Sequence, residues 1–194
     1  MSAELEQPPT SQNRDMGHPD HNSGTKTSRD WRLPLLLIPV VVFIIDRITK
    51  ILILRHLTSS DVVTVIPGWF HLTDVYNNGA AFSMFADTRS PERVRWMLIA
   101  FSVFAILVVF ALFWSIAKRL SMTSVALAMI LGGAIGNLYD RIAYHFVIDF
   151  LAFSHWGYHY PDFNIADSCI VVGACLLLIE AIRGPSQLFA ETQS

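Results

Sequence analysis

The chain has 194 residues, of which 53% are hydrophobic and only 15% charged, with a mean hydropathy of +0.43. That balance is too apolar for a soluble domain of this length and points to an integral membrane protein. The formal net charge is -2 and no basic stripe rises above the background, which removes nucleic acid from the possible partners.

Residues 1–32 are rich in Pro, Ser, Asn, Asp and His and nearly free of large aliphatics. They cannot offset their ordering entropy by burial, so a disordered polar tail on the cytoplasmic side is expected. It is not a secretory signal peptide, because its charged region is too long and the apolar stretch after it ends without a small-residue cleavage site. His18 and His21 lack a third ligand and read as solvated residues.

Four apolar segments follow, about Leu33–Leu54, Val94–Ala117, Met122–Ile142 and Phe163–Ile182, each near the twenty residues a bilayer demands of a helix. The expected fold is an all-α membrane protein of four transmembrane helices within residues 33–183, followed by a short polar tail at 184–194. Four spans put both termini and the link Lys118–Ser121 on one side, with the connections His56–Arg93 and Ala143–Asp162 on the other. Lys26, Arg29, Arg32, Lys118, Arg119 and Arg183 flank the first side, against Arg55, Arg89, Arg93, Arg95 and Arg141. The excess places the termini in the cytoplasm.

The first span is interrupted by Asp46, Arg47, Thr49 and Lys50. Asp46 and Lys50 are four apart and stack on one helical face. Two readings stay open: an internal salt bridge near the outer end of the helix with Arg47 snorkelling outward, or the wall of a polar site facing the other helices. The long loop after it contains DVVTVIPGWFHLTDVY, a β-favouring run punctuated by Pro67-Gly68, so a small extracytoplasmic β-element is expected at about 56–90. Asn77-Asn78-Gly79 marks a turn, and Gly79–Ala81 gives a surface that another chain's backbone can approach, or simply a tight return to the membrane. Phe82, Met84 and Phe85 are placed as interfacial anchors.

The second span has no ionisable residue inside it and reads as a structural helix against lipid. In the third, Gly132 and Gly136 form a GxxxG pair suited to close packing. Gly133, Asn137 and Arg141 recur every four residues along one face, while Asp140 and Arg141 point in different directions. Cys169 and Cys175, six apart on one apolar run, lie on different helical faces and are expected to be buried spectator thiols.

The stretch from Asn137 to Asp167 organises the remainder. Asp149 in VIDF and Asp167 in FNIAD are eighteen residues apart (167 minus 149), at the mouths of two membrane-length segments. Ionisable groups at such depth usually mark a functional site. Gly157 and Pro161 lie between them and signal a reversal able to bring the carboxylates face to face. Two carboxylates in one site do not both ionise cheaply, so one keeps a proton as the acid while the other activates water. This is equipment for peptide hydrolysis without a metal. Zinc is not expected, since His155 and His159 sit in a loop without carboxylates at ligand spacing, and no cofactor is called for. A proton-coupled transporter with the two acids as its relay, and a non-catalytic scaffold held by them, are the rival readings. Four spans without an inverted repeat leave a transporter little machinery for alternating access.

Five motifs in order, DRITK (Asp46–Lys50), YNNGAAFS (Tyr76–Ser83), GGAIGNLYDR (Gly132–Arg141), VIDF (Val147–Phe150) and FNIADS (Phe163–Ser168), cover the chain from about Leu33 to Arg183. In these the chain resembles lipoprotein signal peptidase, or signal peptidase II, the bacterial aspartyl protease of the inner membrane. The resemblance implies four transmembrane helices with a small periplasmic β-cradle. It also implies a lipidated prolipoprotein substrate, cleaved in the membrane just before its lipidated cysteine. It makes Asp149 and Asp167 the catalytic pair. Asn77, Asn137, Arg141, Asn164, Asp46 and Lys50 match polar positions of the substrate site, Gly133 and Ala166 match its small positions, and Asp140 supports the end of the third helix. Membrane lipid is the remaining partner, and a monomer is expected. Asp167 lies in the first turns of the last helix, where the macrodipole favours a carboxylate, so Asp167 is assigned as the ionised base and Asp149 as the protonated acid. Two departures stand out: Arg47 occupies a position where Gln is more often expected, and the tail before Trp31 lies outside the family core.

Overall fold

A computed structural model describes residues 30–79 and 91–184. Residues 1–29 with both tail histidines, Ala80 and Ala81, the anchors Phe82, Met84 and Phe85, and the C-terminal tail after Gly184 lie outside the described residues.

A single helical turn, α1 (Arg32–Leu35), leads into α2 (Leu37–His56). Two strands follow, β1 (Val63–Ile66) and β2 (Phe70–Asn77), then α3 (Pro91–Ile116) and α4 (Met122–Ala143). The chain closes with β3 (Val147–His155), β4 (Tyr158–His159) and α5 (Ile165–Arg183). Trp31 packs against the apolar cluster of Leu35, Phe113, Ala117, Leu127 and Ala128, and its N–H donates to the Lys118 carbonyl at 3.3 Å. The packed domain therefore begins just ahead of Leu33.

Three helices among the described residues are long and apolar enough to cross a membrane, Glu92–Ile116, Met122–Ala143 and Ile165–Arg183. The 20 residues of α2 have the length, but Asp46, Arg47, Lys50 and Arg55 interrupt its apolar character. Three of those four charges turn inward: Asp46 and Lys50 are fully buried and Arg47 nearly so. Arg47 thus does not snorkel outward. It inserts between α2 and α4, where Asp140 and two tyrosine rings offer it a better environment than hydrocarbon.

α4 is the central helix, with small residues where its neighbours press closest. A side chain at Gly132 would meet the Pro39 Cα of α2 at 2.8 Å, and one at Gly136 would meet Asp46 Oδ2 at 2.8 Å. A side chain at Gly133 would overlap the Ala166 carbonyl oxygen of α5. The GxxxG pair therefore faces α2, and the next glycine faces α5. At the other end of α4, Ser121 and Ser124 form a reciprocal capping box. Cys169 is half-buried but Cys175 is exposed on α5, because a helix in lipid needs no polar outer face and one of two thiols six residues apart ends on it.

The four strands form one antiparallel sheet in the order β1-β2-β3-β4. The Pro67-Gly68 turn joins the first two, with Gly68 at φ +76°. The sheet extends beyond the expected 56–90 region, because the run Val147-Ile148-Asp149-Phe150 pairs with β2 as its central strand. Those four residues are all buried. His155 and His159, expected in a loop, lie on β3 and β4, whose turn is made by Trp156 and Gly157. Both turn residues have positive φ, as a tight hairpin with the right-handed strand twist requires. The chain then returns beside β3, with Phe163 bridging Leu151, and enters α5. That return is the reversal that brings the two carboxylates to one place.

Candidate active site

Asp149 projects from the third residue of β3 and is nearly fully buried. Asp167 is the third residue of α5, in its first turn. Between them stands Asn164, the N-cap of α5. Its side-chain oxygen accepts from the Asp167 N–H at 2.9 Å, while Asp167 Oδ2 accepts from the Asn164 N–H at 3.3 Å. This reciprocal box satisfies two helix-end donors and also pins the Asn164 amide. With the oxygen committed to an N–H, the NH2 group faces Asp149 Oδ1 at 2.8 Å and the Ile148 carbonyl at 3.2 Å.

Two more asparagines are constrained in the same way. At the end of β2 the Asn77 oxygen accepts from the Gly79 N–H at 2.8 Å, so Nδ2 donates to Asp149 Oδ2 at 2.8 Å. Gly79, at φ +91°, makes the turn that allows this. On α4 the Asn137 oxygen faces Lys50 Nζ at 3.4 Å and Asn164 Nδ2 at 3.2 Å, and its Nδ2 donates to Asp167 Oδ1 at 2.7 Å. Each carboxylate thus receives side-chain amide protons from asparagines on neighbouring elements. Burial is the largest influence on Asp149 and raises its carboxyl to about 7. The Asn77 hydrogen bond opposes the rise, the Asp167 charge adds to it, and Asn164 and the Lys50 ammonium oppose it again.

A buried ionic cluster lies behind this face. Lys50 Nζ is 2.8 Å from Asp46 Oδ2 and 2.7 Å from Asp140 Oδ2. Arg47 pairs with Asp140 Oδ1, and its guanidinium stacks 4.6 Å from the Tyr139 ring centroid and 5.3 Å from that of Tyr144. Asp46 Oδ1 accepts from the Ala166 N–H at 3.1 Å, a donor of the first turn of α5. Asp140 Oδ2 also accepts from the Ile148 N–H at 3.3 Å, one residue before Asp149. The two acids and two bases tie α2, α4, β3 and α5 together. Asp140→Ala strands Arg47 without its carboxylate in a dry interior, and an expected loss of about 3–5 kcal/mol follows from breaking such a pair on one side. Denaturant unfolding in detergent measures it; a loss below about 1 kcal/mol would mean the cluster is not structural.

Of the residues expected in the substrate site, Arg141 and Asn77 keep partial exposure, as does the acid Asp167, whereas Asn164, Asp46, Lys50 and Ala166 are fully buried and Asn137 nearly so. Both open readings of Asp46 and Lys50 contain part of what is found: they form a salt bridge, and it is turned toward the other helices. Both are fully buried. Gly133 is buried against α5, and Arg141 Nη1 donates to the Asn137 carbonyl at 3.2 Å on the open side. Asp140 and Arg141 do diverge, the first buried toward α2 and the second toward the acids. The Ile148 N–H and the Arg47 pocket of Tyr139 and Tyr144 are the features that sequence reasoning missed. Among the described residues no group of His, Cys, Asp and Glu has the arrangement of a metal site.

A family model described as signal peptidase (SPase) II matches residues 38–183 of the chain. The lipoprotein signal peptidase of Pseudomonas paraeruginosa (strain DSM 24068 / PA7) is 43% identical over 160 residues, covering 81% of this chain and 93% of the relative. The lipoprotein signal peptidase of Solibacter usitatus (strain Ellin6076) is 39% identical over 159 residues, covering 81% and 96%. A bacterial membrane enzyme solved by the in meso method at 1.9 Å superposes with a TM-score of 0.72 at 28% identity, covering 81% of this chain and 98% of that one.

Proposed function

The chain belongs to the signal peptidase II family, and on that footing we propose that it is an aspartic endopeptidase that removes the signal peptide from diacylglyceryl-modified prolipoproteins, cleaving just before the lipidated cysteine. The observation that carries the catalytic type is the pair Asp149 and Asp167, which enter from a strand and a helix and meet on the same asparagine, Asn164. A peptidase of this design needs one acid and one base within reach of a single water.

Asp149, whose burial favours the neutral carboxyl, is the acid. Asp167 accepts a proton from water as the water oxygen bonds to the scissile carbonyl carbon, and Asp149 gives its proton to the carbonyl oxygen. In the collapse of the resulting diol, Asp167 returns its proton to the amide nitrogen as the C–N bond breaks, and Asp149 recovers one from a diol hydroxyl. The pair ends as it began. Arg141, on the open side, is the donor assigned to a substrate carbonyl, with Asn77 holding the neighbouring backbone. Positioning of that kind supplies much of the rate by itself.

On the same reading the protein is a monomer of the bacterial inner membrane, with both termini cytoplasmic, the acid pair near the periplasmic face and α2 as its fourth span. The buried charges of α2 support this, since each finds a partner on α4 or within α2 and the helix then presents Val40, Val41, Ile44, Ile45, Ile48 and Leu52 outward. Cysteines placed in the link Lys118–Ser121 should resist an impermeant reagent added outside intact cells; rapid labelling there reverses the orientation.

The acid role of Asp149 carries a pH dependence. Cleavage of a diacylglyceryl-modified prolipoprotein by the purified protein should lose kcat/KM as pH rises through about 7, where Asp149 gives up its proton. The sign for stability is the same. Asp149 has a folded value above its ordinary 3.8, so folding takes up a proton between the two values. Its contribution to stability is full at low pH and declines as pH rises through about 7. A rate that keeps rising to pH 9 would remove Asp149 as the acid.

A further inference from the structure

We propose that Lys50 is a positioning residue for catalysis that acts through Asn137: its ammonium holds the Asn137 amide in the one orientation in which the NH2 group faces Asp167. This rests on the aspartic-peptidase reading above and assigns Lys50 a role other than touching substrate.

An ammonium has three donors and no acceptor, whereas an asparagine amide presents an acceptor on one side and donors on the other. Lys50 Nζ lies 3.4 Å from Asn137 Oδ1, a long hydrogen bond but a short distance for a full charge. Turning the amide over would put its NH2 group against that cation and its oxygen against Asp167 Oδ1, which now receives the amide proton at 2.7 Å. Both contacts would become repulsive while Asp167 is ionised. The difference emerges once Asp167 has taken the proton of the attacking water. Its O–H can then donate, and an unconstrained amide would turn to accept it.

The other contacts of Asn137 do not hold the amide as firmly. Asn164 Nδ2 faces Asn137 Oδ1 at 3.2 Å, but that group has two protons for three acceptors, and Asp149 Oδ1 at 2.8 Å is the nearest. Lys50 is in turn fixed by Asp46 and Asp140 at 2.8 and 2.7 Å and is fully buried. With Lys50 in place, Asn137 stays a donor throughout the cycle. A permanent donor cannot accept the O–H of a protonated Asp167, so that proton is left free to pass to the leaving nitrogen.

The test compares kcat and KM for a diacylglyceryl-modified prolipoprotein across Lys50→Met, Asn137→Ala and the two combined. Because Lys50→Met leaves two acids with one fewer cation, the charge-balanced Asp46→Asn/Lys50→Met is made alongside it, and melting in detergent establishes which variants fold. Loss of a catalytic hydrogen-bond arrangement costs roughly 10²-fold in kcat, and a fall of roughly tenfold or more with KM within about twofold is expected here for an orienting group. The same change made on Asn137→Ala should lower kcat no further, since coupled residues are not additive. A raised KM at unchanged kcat would mean that Lys50 contacts substrate, and a full repeat of the loss on Asn137→Ala would mean that it acts elsewhere; either outcome overturns the proposal. If no Lys50 variant folds, the natural protein decides. Nuclear Overhauser contacts from the Asn137 amide protons to the Asp167 β-protons support it, and contacts to the Lys50 ε-protons overturn it. Failure of the natural protein to cleave at all would count against the peptidase reading itself.

Discussion

Asp149→Asn and Asp167→Asn are each expected to lower prolipoprotein cleavage by roughly 10³-fold or more while leaving the protein folded, since an amide cannot shuttle the proton that acid–base catalysis requires. The substitution is isosteric, and at 149 it puts a neutral amide where burial already favours the neutral carboxyl, so stability is expected to hold. Asn at 149 keeps an oxygen to accept from Asn77 or Asn164, which now donate to opposite carboxylate oxygens at 2.8 Å. At 167 the first turn of α5 keeps a side-chain oxygen for the Asn164 N–H. Rates within tenfold of the natural protein in either variant, with the fold verified by melting, would sink the dyad. The transporter reading would then return to consideration, with liposome flux as its measure.

Gly133→Ala is expected to impair activity about 10²-fold, from a methyl group outside the acid pair. The new Cβ would overlap the Ala166 carbonyl oxygen and approach Ile170 Cγ1 to 2.8 Å. The first obstacle is backbone and has no rotamer to retreat into, so α5 itself must move away from α4. Ala166 immediately precedes Asp167, and its N–H is held by Asp46. Any shift of α5 is therefore carried to the base and to its 2.7 Å hydrogen bond with Asn137. Displacement of a reacting group by about 1 Å is enough for a loss of this size. Overpacking adds a stability cost of about 1–3 kcal/mol. Wild-type kcat with a lowered melting temperature would show that α5 does not register the acid pair, and unchanged stability would show that the α4–α5 approach relaxes elsewhere.

Much of this molecule is legible in its sequence. Apolar length and composition determine where helices run, because hydrocarbon tolerates no unpaired backbone, and the helical segments fall within a few residues of those expected. The β-favouring run about Pro67-Gly68 identified β1 and β2, and the small residues of α4 announced close packing. The five motifs in order identified the family. The asparagines that bond the two acids, Asn77, Asn137 and Asn164, were named from the chain itself or from the resemblance.

Their division of labour was not legible. Whether Asp46 and Lys50 face an incoming substrate or stand behind the acids depends on the rotation of α2 against α4, and spacing along one helix carries no information about its partner. The same holds for Arg47, whose inward course is decided by Asp140, Tyr139 and Tyr144, 92 or more positions away in sequence (139 minus 47). β3 escaped notice because its first four residues are all buried and show no polar-apolar alternation, and VIDF read as the mouth of a span. The Asn164–Asp167 capping box was local enough to be visible, as an Asn three residues before an acid at a helix start. That its amide also reaches Asp149 became visible only when the Trp156-Gly157 hairpin returned the chain beside β3. Composition and motif order specify a membrane protein of a known family that carries two acids at the mouths of its apolar segments. Which polar groups touch those acids and which hold them from behind follows from packing alone, because hydrogen-bond direction and burial belong to the contact of helices with one another.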